Sequence, residues 1–459
     1  MAEPAMSVTP YWELTFDADG DPDGRRRDRL LSGVTARGVR DLVVFAHGWN
    51  NDRSTATRLY SGFFAPMPSL APTARLGYAG VVWPSMRFPD EPIPDFPRSV
   101  AAGEPGRPTL DKATRRALLE TFPGRATVVD RLAELLDQRP GDEAALTEFA
   151  GLARLLADPG TGAVSALDTE DAEDAEDAEN TEDTEGAGNA GDAETAAEPS
   201  PPGLFTAPAA EVCEEFAAAL AHLEGRLGPG PAFSLPNPWD GAQELLRQLT
   251  YHAMKRRAGT VGERGLGRLL GHLAQAAPHV RVHLVGHSFG ARLVSFALRG
   301  LPPGVATVKS VTLLQGAFSH YAFADRLPHD TRAKGALAGR QRRVDGPVVC
   351  CHSRHDSALG TFYPLASRTA GDDRGLAPFD LGRVLGDRWG ALGYEGIRAV
   401  PGTRAWSLAE ALDRRLPASG CVNVDAAAVV RRGGPPAGAH SDIVHRDLAR
   451  LVLAAGRVG

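Results

Sequence analysis

The sequence predicts an α/β fold, a mostly parallel central sheet with helices on both faces, and three observations predict it. Short strand patterns rich in apolar residues recur at 41–46, 80–83, 280–285, 308–314, 348–351 and 422–424, and Val280, Val282, Leu284 and Val285 suit a buried parallel strand. Helical patterns separate them, as βαβ connections require. At 279–300 (HVRVHLVGHSFGARLVSFALRG) a strand pattern breaks at Gly286 and restarts as a helix, with Ser288 at the break.

From the N-terminus, residues 41–52 (DLVVFAHGWNND) read as an apolar strand running into His47, Gly48 and Trp49. A second strand lies at 80–83 within AGVVWPS. A minimal βαβ unit would return after about thirty residues. Here almost two hundred intervene before the strand at 280–285, with helix patterns at 110–119, 126–137, 143–157, 209–227 and 241–276. The expectation is a large helical insertion between the fourth strand and the strand leading to Ser288. It divides the chain into core (1–90), insertion (91–240) and core again (241–459). Only about thirty residues separate Leu314 from Pro347, leaving little room for a lid there. Any cap over Ser288 is therefore expected from the insert. Phe205, Phe216, Phe233, Trp239 and Tyr251 either line it or form the insert's own core.

The elbow carries the pattern Gly-x-Ser-x-Gly, with glycines at 286 and 290 where the turn is tight and strand and helix nearly touch. In a chain with 51 glycines the pattern alone is weak, and its strand-to-helix context gives it force. An activated serine needs a base, an acid to orient that base, and donors for the developing oxyanion. The stretch DLVVFAHGWNND resembles the first oxyanion loop of the α/β-hydrolase superfamily, and with the elbow this resemblance spans most of the chain outside the insert. It implies an α/β-hydrolase fold and an oxyanion hole made by the main-chain N–H groups of Trp49 and Phe289. His47 reads as a structural histidine beneath that loop rather than a catalytic one.

The resemblance also implies an acid after a later strand, and Asp356 follows the run at 348–351. Asp325 and Asp330 lie ten or more residues beyond the strand at 308–314, too far for its end to position them, while the bland alternative for Asp356 is a loop-capping carboxylate. The base comes from GAHSDIVHRDLARLVL. His440 follows a Gly/Pro-rich loop and precedes Ser441 and Asp442, expected to cap the terminal helix; His445 is expected inside that helix. The order Ser288, Asp356, His440 is that of α/β-hydrolases. Tyr363 and Pro364 either border the mouth of the site or begin the helix leading to the last strand.

Composition bounds the rest. The segment 168–198 holds 14 acidic residues and no basic ones, so removing its charge from the chain's −7 leaves +7. Such a tract repels itself and has almost nothing to bury, the pattern of a disordered, solvated insertion across 166–202, or of a surface for a protein partner. The remaining Arg residues are dispersed without aromatic interleaving, which argues against nucleic acid as a partner. The N-terminus shows no basic start or apolar signal core, and no run reaches membrane-spanning length, so a cytoplasmic protein without membrane association is expected. Four cysteines without CxxC spacing read as reduced core residues, and His352, His355 and Asp356 match no zinc pattern. No metal or cofactor is expected. Gly262, Gly265, Gly267 and Gly271 read as glycines scattered in a helix rather than a phosphate loop. His445-Arg446-Asp447-Leu448 spells the start of a kinase catalytic loop, but Val452 stands where its metal-binding Asn is required.

Three functional readings remain. The first is a serine hydrolase acting through an acyl-enzyme on a small acyl substrate, an ester, thioester, lactone or amide. The second is a non-catalytic interaction protein on the same scaffold. The third is a non-hydrolytic acyltransferase or lyase.

Overall fold

Eight strands pair in one sheet: β1 (Tyr11–Thr15), β2 (Asp41–Ala46), β3 (Leu76–Val82), β4 (Arg281–His287), β5 (Val308–Leu314), β6 (Pro347–His352), β7 (Arg404–Ser407) and β8 (Gly420–Asp425). Their spatial order is β1-β3-β2-β4-β5-β6-β8-β7. The structure, a computed structural model, describes residues 6–86, 110–157, 203–223, 237–367, 388–434 and 437–459. Every strand pairing is parallel, a stricter arrangement than the mostly parallel sheet expected.

The runs in β2 and β6 are continuously apolar because the sheet is covered on both sides. Successive side chains alternate between two cores: Leu42, Val44, Val282, Leu284, Val348 and Cys350 enter one, and Val43, Phe45, Val285, Val349 and Cys351 the other. The longer helices are α1 (Gly24–Ala36), α2 (Arg53–Phe64), α3 (Lys112–Thr121), α4 (Ala126–Gln138), α5 (Glu143–Ala157), α6 (Ala209–Leu223), α7 (Pro238–Thr260), α8 (Arg268–Ala276), α9 (Phe289–Phe296) and α10 (Arg446–Gly456). Buried residues of α1, α8, α9 and the insert helices join the first core, and those of α2 and α10 the second.

The long connection runs from β3 to β4, so the strand before it is the third in chain order rather than the fourth. Only β1 precedes β2 among the described residues. The helix expected across 241–276 begins at Pro238, capped by the Asn237 side chain, and is interrupted by a π-helical turn at Val261–Gly267. Its glycines are not scattered at random. A Cβ on Gly262 would overlap the carbonyl oxygen of Leu293 in α9, and one on Gly267 that of Ala297. They let the backbone of this segment lie directly against the helix that follows Ser288. The acidic tract at 166–202 and Phe233 lie outside the described residues.

Candidate active site

Ser288 stands between β4 and α9 with φ 55° and ψ −119°, a conformation a non-glycine residue adopts only under constraint. The constraint is close packing of backbone. A Cβ on Gly286 would overlap the carbonyl of Gly290, and one on Gly290 the carbonyl of Ala46 at the end of β2. Without those two side chains the chain turns sharply, and the Ser288 N–H donates to Leu314 O at 3.1 Å, tying the turn to β5.

Three loops at the carboxyl ends of their strands meet around this serine. His440 Nε2 lies 2.9 Å from Ser288 Oγ, and His440 Nδ1 lies 2.7 Å from Asp356 Oδ2. Asp356 is fully buried, Ser288 is 5 % exposed, and the His440 side chain is 16 % exposed. The other Asp356 oxygen accepts from the Leu359 N–H at 3.1 Å, which sets the carboxylate's rotation. With Nδ1–H donated to the carboxylate, the Nε2 lone pair is left to accept the serine proton. Such an array can turn a hydroxyl into a nucleophile.

The loop after β2 approaches from the other side. A Cβ on Gly48 would sit 2.7 Å from Ser288 Cβ, so the Gly48–Trp49 peptide passes directly over the serine. The Gly48 carbonyl is held by His47 Nδ1 at 2.8 Å and by Asn51 Nδ2 at 3.2 Å. In a trans peptide the N–H points opposite its carbonyl, so these two bonds fix the direction of the Trp49 N–H. The Phe289 N–H is at the first position of α9, where a helix supplies no internal acceptor. His47 is buried beneath the loop, its ring stacked on Trp83 at 5.5 Å, and burial lowers its pKa to about 4.

Several expected residues fall elsewhere. His445 is not inside the terminal helix: it is the residue before α10, and its Nε2 lies 2.9 Å from Asp442 Oδ1. Asp442 does not cap that helix. Its other oxygen accepts from the N–H groups of Arg431 and Arg432, at 3.0 Å and 2.8 Å, and braces the loop that carries His440. Asp325 pairs with Arg342 at the surface, and Asp330 accepts from the Arg332 N–H. Tyr363 opens a short helix, Tyr363–Ser367, and its ring lies 6.2 Å from that of Tyr251. Trp239 packs on Phe149 within the insert, and Phe205 on His252, whereas Tyr251 reaches Phe289 at 4.5 Å and Trp49 at 5.7 Å. Phe216 is buried in the core.

A second Ser-His-Asp set was not singled out from the sequence. His283 Nδ1 lies 3.0 Å from Ser310 Oγ and its Nε2 3.0 Å from Asp41 Oδ1. All three are buried within regular strands, with α10 packed close enough that a Cβ on Gly456 would overlap the His283 ring. No turn presents Ser310, so residue type alone does not make an accessible nucleophile.

The four cysteines are free and buried, and burial pushes their thiols up, to about 12 at Cys213, Cys351 and Cys421. Among the described residues no cluster of three or more His, Cys, Asp or Glu is placed to hold a metal ion, and no helix is long and apolar enough to cross a membrane. Comparison of the chain with protein-family models, with curated proteins and with solved structures returned no match.

Proposed function

We propose that this protein is a serine hydrolase on an α/β-hydrolase scaffold, cleaving an ester, thioester, lactone or amide through an acyl-enzyme. One observation carries the reading: a serine at φ 55° on a strand-to-helix turn, 2.9 Å from a histidine whose other nitrogen is 2.7 Å from a buried aspartate. His440 takes the Ser288 proton as the hydroxyl attacks the acyl carbon, and Asp356 holds the imidazole tautomer and stabilises the imidazolium that forms. The N–H groups of Trp49 and Phe289 receive the oxyanion. His440 then returns the proton to the leaving group and activates the water that releases the acid.

The test is labelling by a fluorophosphonate probe, followed by p-nitrophenyl esters of increasing chain length. Labelling of the wild type that disappears in both Ser288→Ala and His440→Ala supports the reading. A folded wild type that stays unlabelled and leaves every ester intact overturns it.

A further inference from the structure

His287 sits in the elbow between Gly286 and Ser288 and has no part in the chemistry just assigned. Its ring is buried, with Nε2 2.8 Å from the main-chain oxygen of His440 and the two ring centroids 5.1 Å apart. A carbonyl only accepts, so Nε2 carries the proton and Nδ1 keeps the lone pair. Among the described residues no donor reaches Nδ1, and its neighbour is the loop after β2: a Cβ on Gly48 would lie 3.1 Å away. The ring is therefore wedged between two of the loops that meet at Ser288.

The bond to His440 matters because of what carries His440. The preceding residues, RRGGPPAGA at 431–439, hold three glycines and two prolines, and Gly433 and Gly438 take φ values of 158° and 62°. The Ala439 N–H donates to His355 O at 2.8 Å, which anchors this stretch to the Asp356 loop. That contact holds His440 near its acid, and the Asp442 bonds to Arg431 and Arg432 brace the same loop. The His287 bond joins the main chain of residue 440 directly to the residue adjacent to Ser288.

We infer that His287 is a positioning residue, whose Nε2–H clamps the His440 backbone to the nucleophile elbow and so sets the distance between His440 Nε2 and Ser288 Oγ. Burial lowers the His287 pKa to about 3, so the ring stays neutral beside the imidazolium that forms on His440. The inference rests on the serine-hydrolase reading, and the experiment separates the two.

A glutamine amide nitrogen reaches the place of the histidine Nε2, whereas an asparagine amide stops one carbon short. Probe-labelling rates, and kcat and KM on p-nitrophenyl butyrate, are compared for wild type, His287→Asn and His287→Gln, with folding checked by circular dichroism. Misplacing a reacting group by about 1 Å costs on the order of 100-fold. The Asn variant is therefore expected to lose about 10- to 100-fold in labelling rate and kcat with KM within about two-fold, and the Gln variant to recover to within about three-fold of wild type. Asn labelling at the wild-type rate, or Gln as slow as Asn, overturns the inference while leaving the hydrolase reading in place. A wild type that neither labels nor turns over overturns both. Histidine nitrogen NMR on the wild type decides independently of whether the Asn variant folds: a neutral His287 protonated at Nε2 is expected, and an Nδ1–H tautomer overturns the clamp.

Discussion

At the scale of single residues, Asp356 is the group whose replacement is most diagnostic. An asparagine there keeps the volume, but its NH2 can face His440 Nδ1, favouring the tautomer that carries its proton on Nε2, toward the serine. Asp356→Asn is expected to lower kcat by about 10⁴-fold with KM little changed, measured on the best p-nitrophenyl ester; a loss under about ten-fold removes Asp356 from its assigned role. Stability carries a second residue-scale signature. His47 and His287 are buried and neutral, with pKa values lowered from 6.5 to about 4 and about 3 by desolvation. Below 6.5 the unfolded chain binds protons that the folded chain refuses, so their stabilising contribution is complete above that pH and lost as pH falls toward the folded values. Each group contributes a slope of about 1.4 kcal/mol per pH unit inside its window. Urea midpoints are expected to fall steadily from about pH 6.5 to about pH 4.5, and His287→Gln to flatten the slope by one proton's share; a flat profile in the wild type contradicts it. Ser288 and Asp356 stood out in the sequence because each lies a few residues past an apolar run, at 280–285 and 348–351, whereas His440, sixteen residues past 422–424, stood out through the Gly/Pro-rich loop before it. His287 did not. Its partner is a main-chain oxygen 153 residues away, a contact that no local pattern encodes.

At the scale of elements, the long connection into β4 shows how glycine can be required in one helix and wasteful in another. Gly262 lies in the π-helical turn against α9, where a methyl group would strike the Leu293 carbonyl. Gly151 lies on an exposed face of α5 with nothing within 4 Å of its missing Cβ. Gly262→Ala is expected to destabilise by about 1–3 kcal/mol through forced backbone shifts. Gly151→Ala is expected to stabilise by about 0.5–1 kcal/mol, because alanine loses less conformational freedom on folding. Thermal midpoints of the two variants should move in opposite directions, and a common direction sinks the argument. The sequence could not separate these glycines, since the difference is which backbone crosses them. The same limit hid β1 and β7. Edge strands need not be apolar on both faces, and YWELT and RAWS carry polar residues that break the run. The interior strands were readable because burial on both faces keeps them rich in apolar residues, and buried polar ones such as His283, Ser310 and Asp41 hydrogen-bond to one another.

At the scale of the whole molecule, the site lies where the strand order reverses. The chain passes from β2 outward to β3 and then returns to place β4 on the other side of β2, so the loops after β2 and β4 diverge across a crevice at the strands' carboxyl ends. Gly48 and Ser288 occupy its two sides, while Asp356 and His440 reach it from the ends of β6 and β8. The parallel sense of the sheet was legible from the long connections, but the strand order was not, because apolar runs of similar character do not state which neighbour each one takes. Excision tests whether the site needs the middle of the β3–β4 connection. Arg154 at the end of α5 donates to Leu204 O at 2.9 Å and to Ala207 O at 2.6 Å, so the chain before and after the acidic tract is already joined within one side chain's reach. Excising 168–198 leaves 158–167 and 199–202 to bridge a short gap, and shortening a loop lowers rather than raises its closure entropy. The excised protein is expected to label at Ser288 within about two-fold of the wild-type rate and to melt within about 3 °C of it. Its net charge moves from −7 to +7, so it should leave an anion exchanger and bind a cation exchanger at neutral pH. Loss of labelling with the fold intact would instead make the tract part of the site, and assign it the partner-binding or substrate-guiding role that its charge permits.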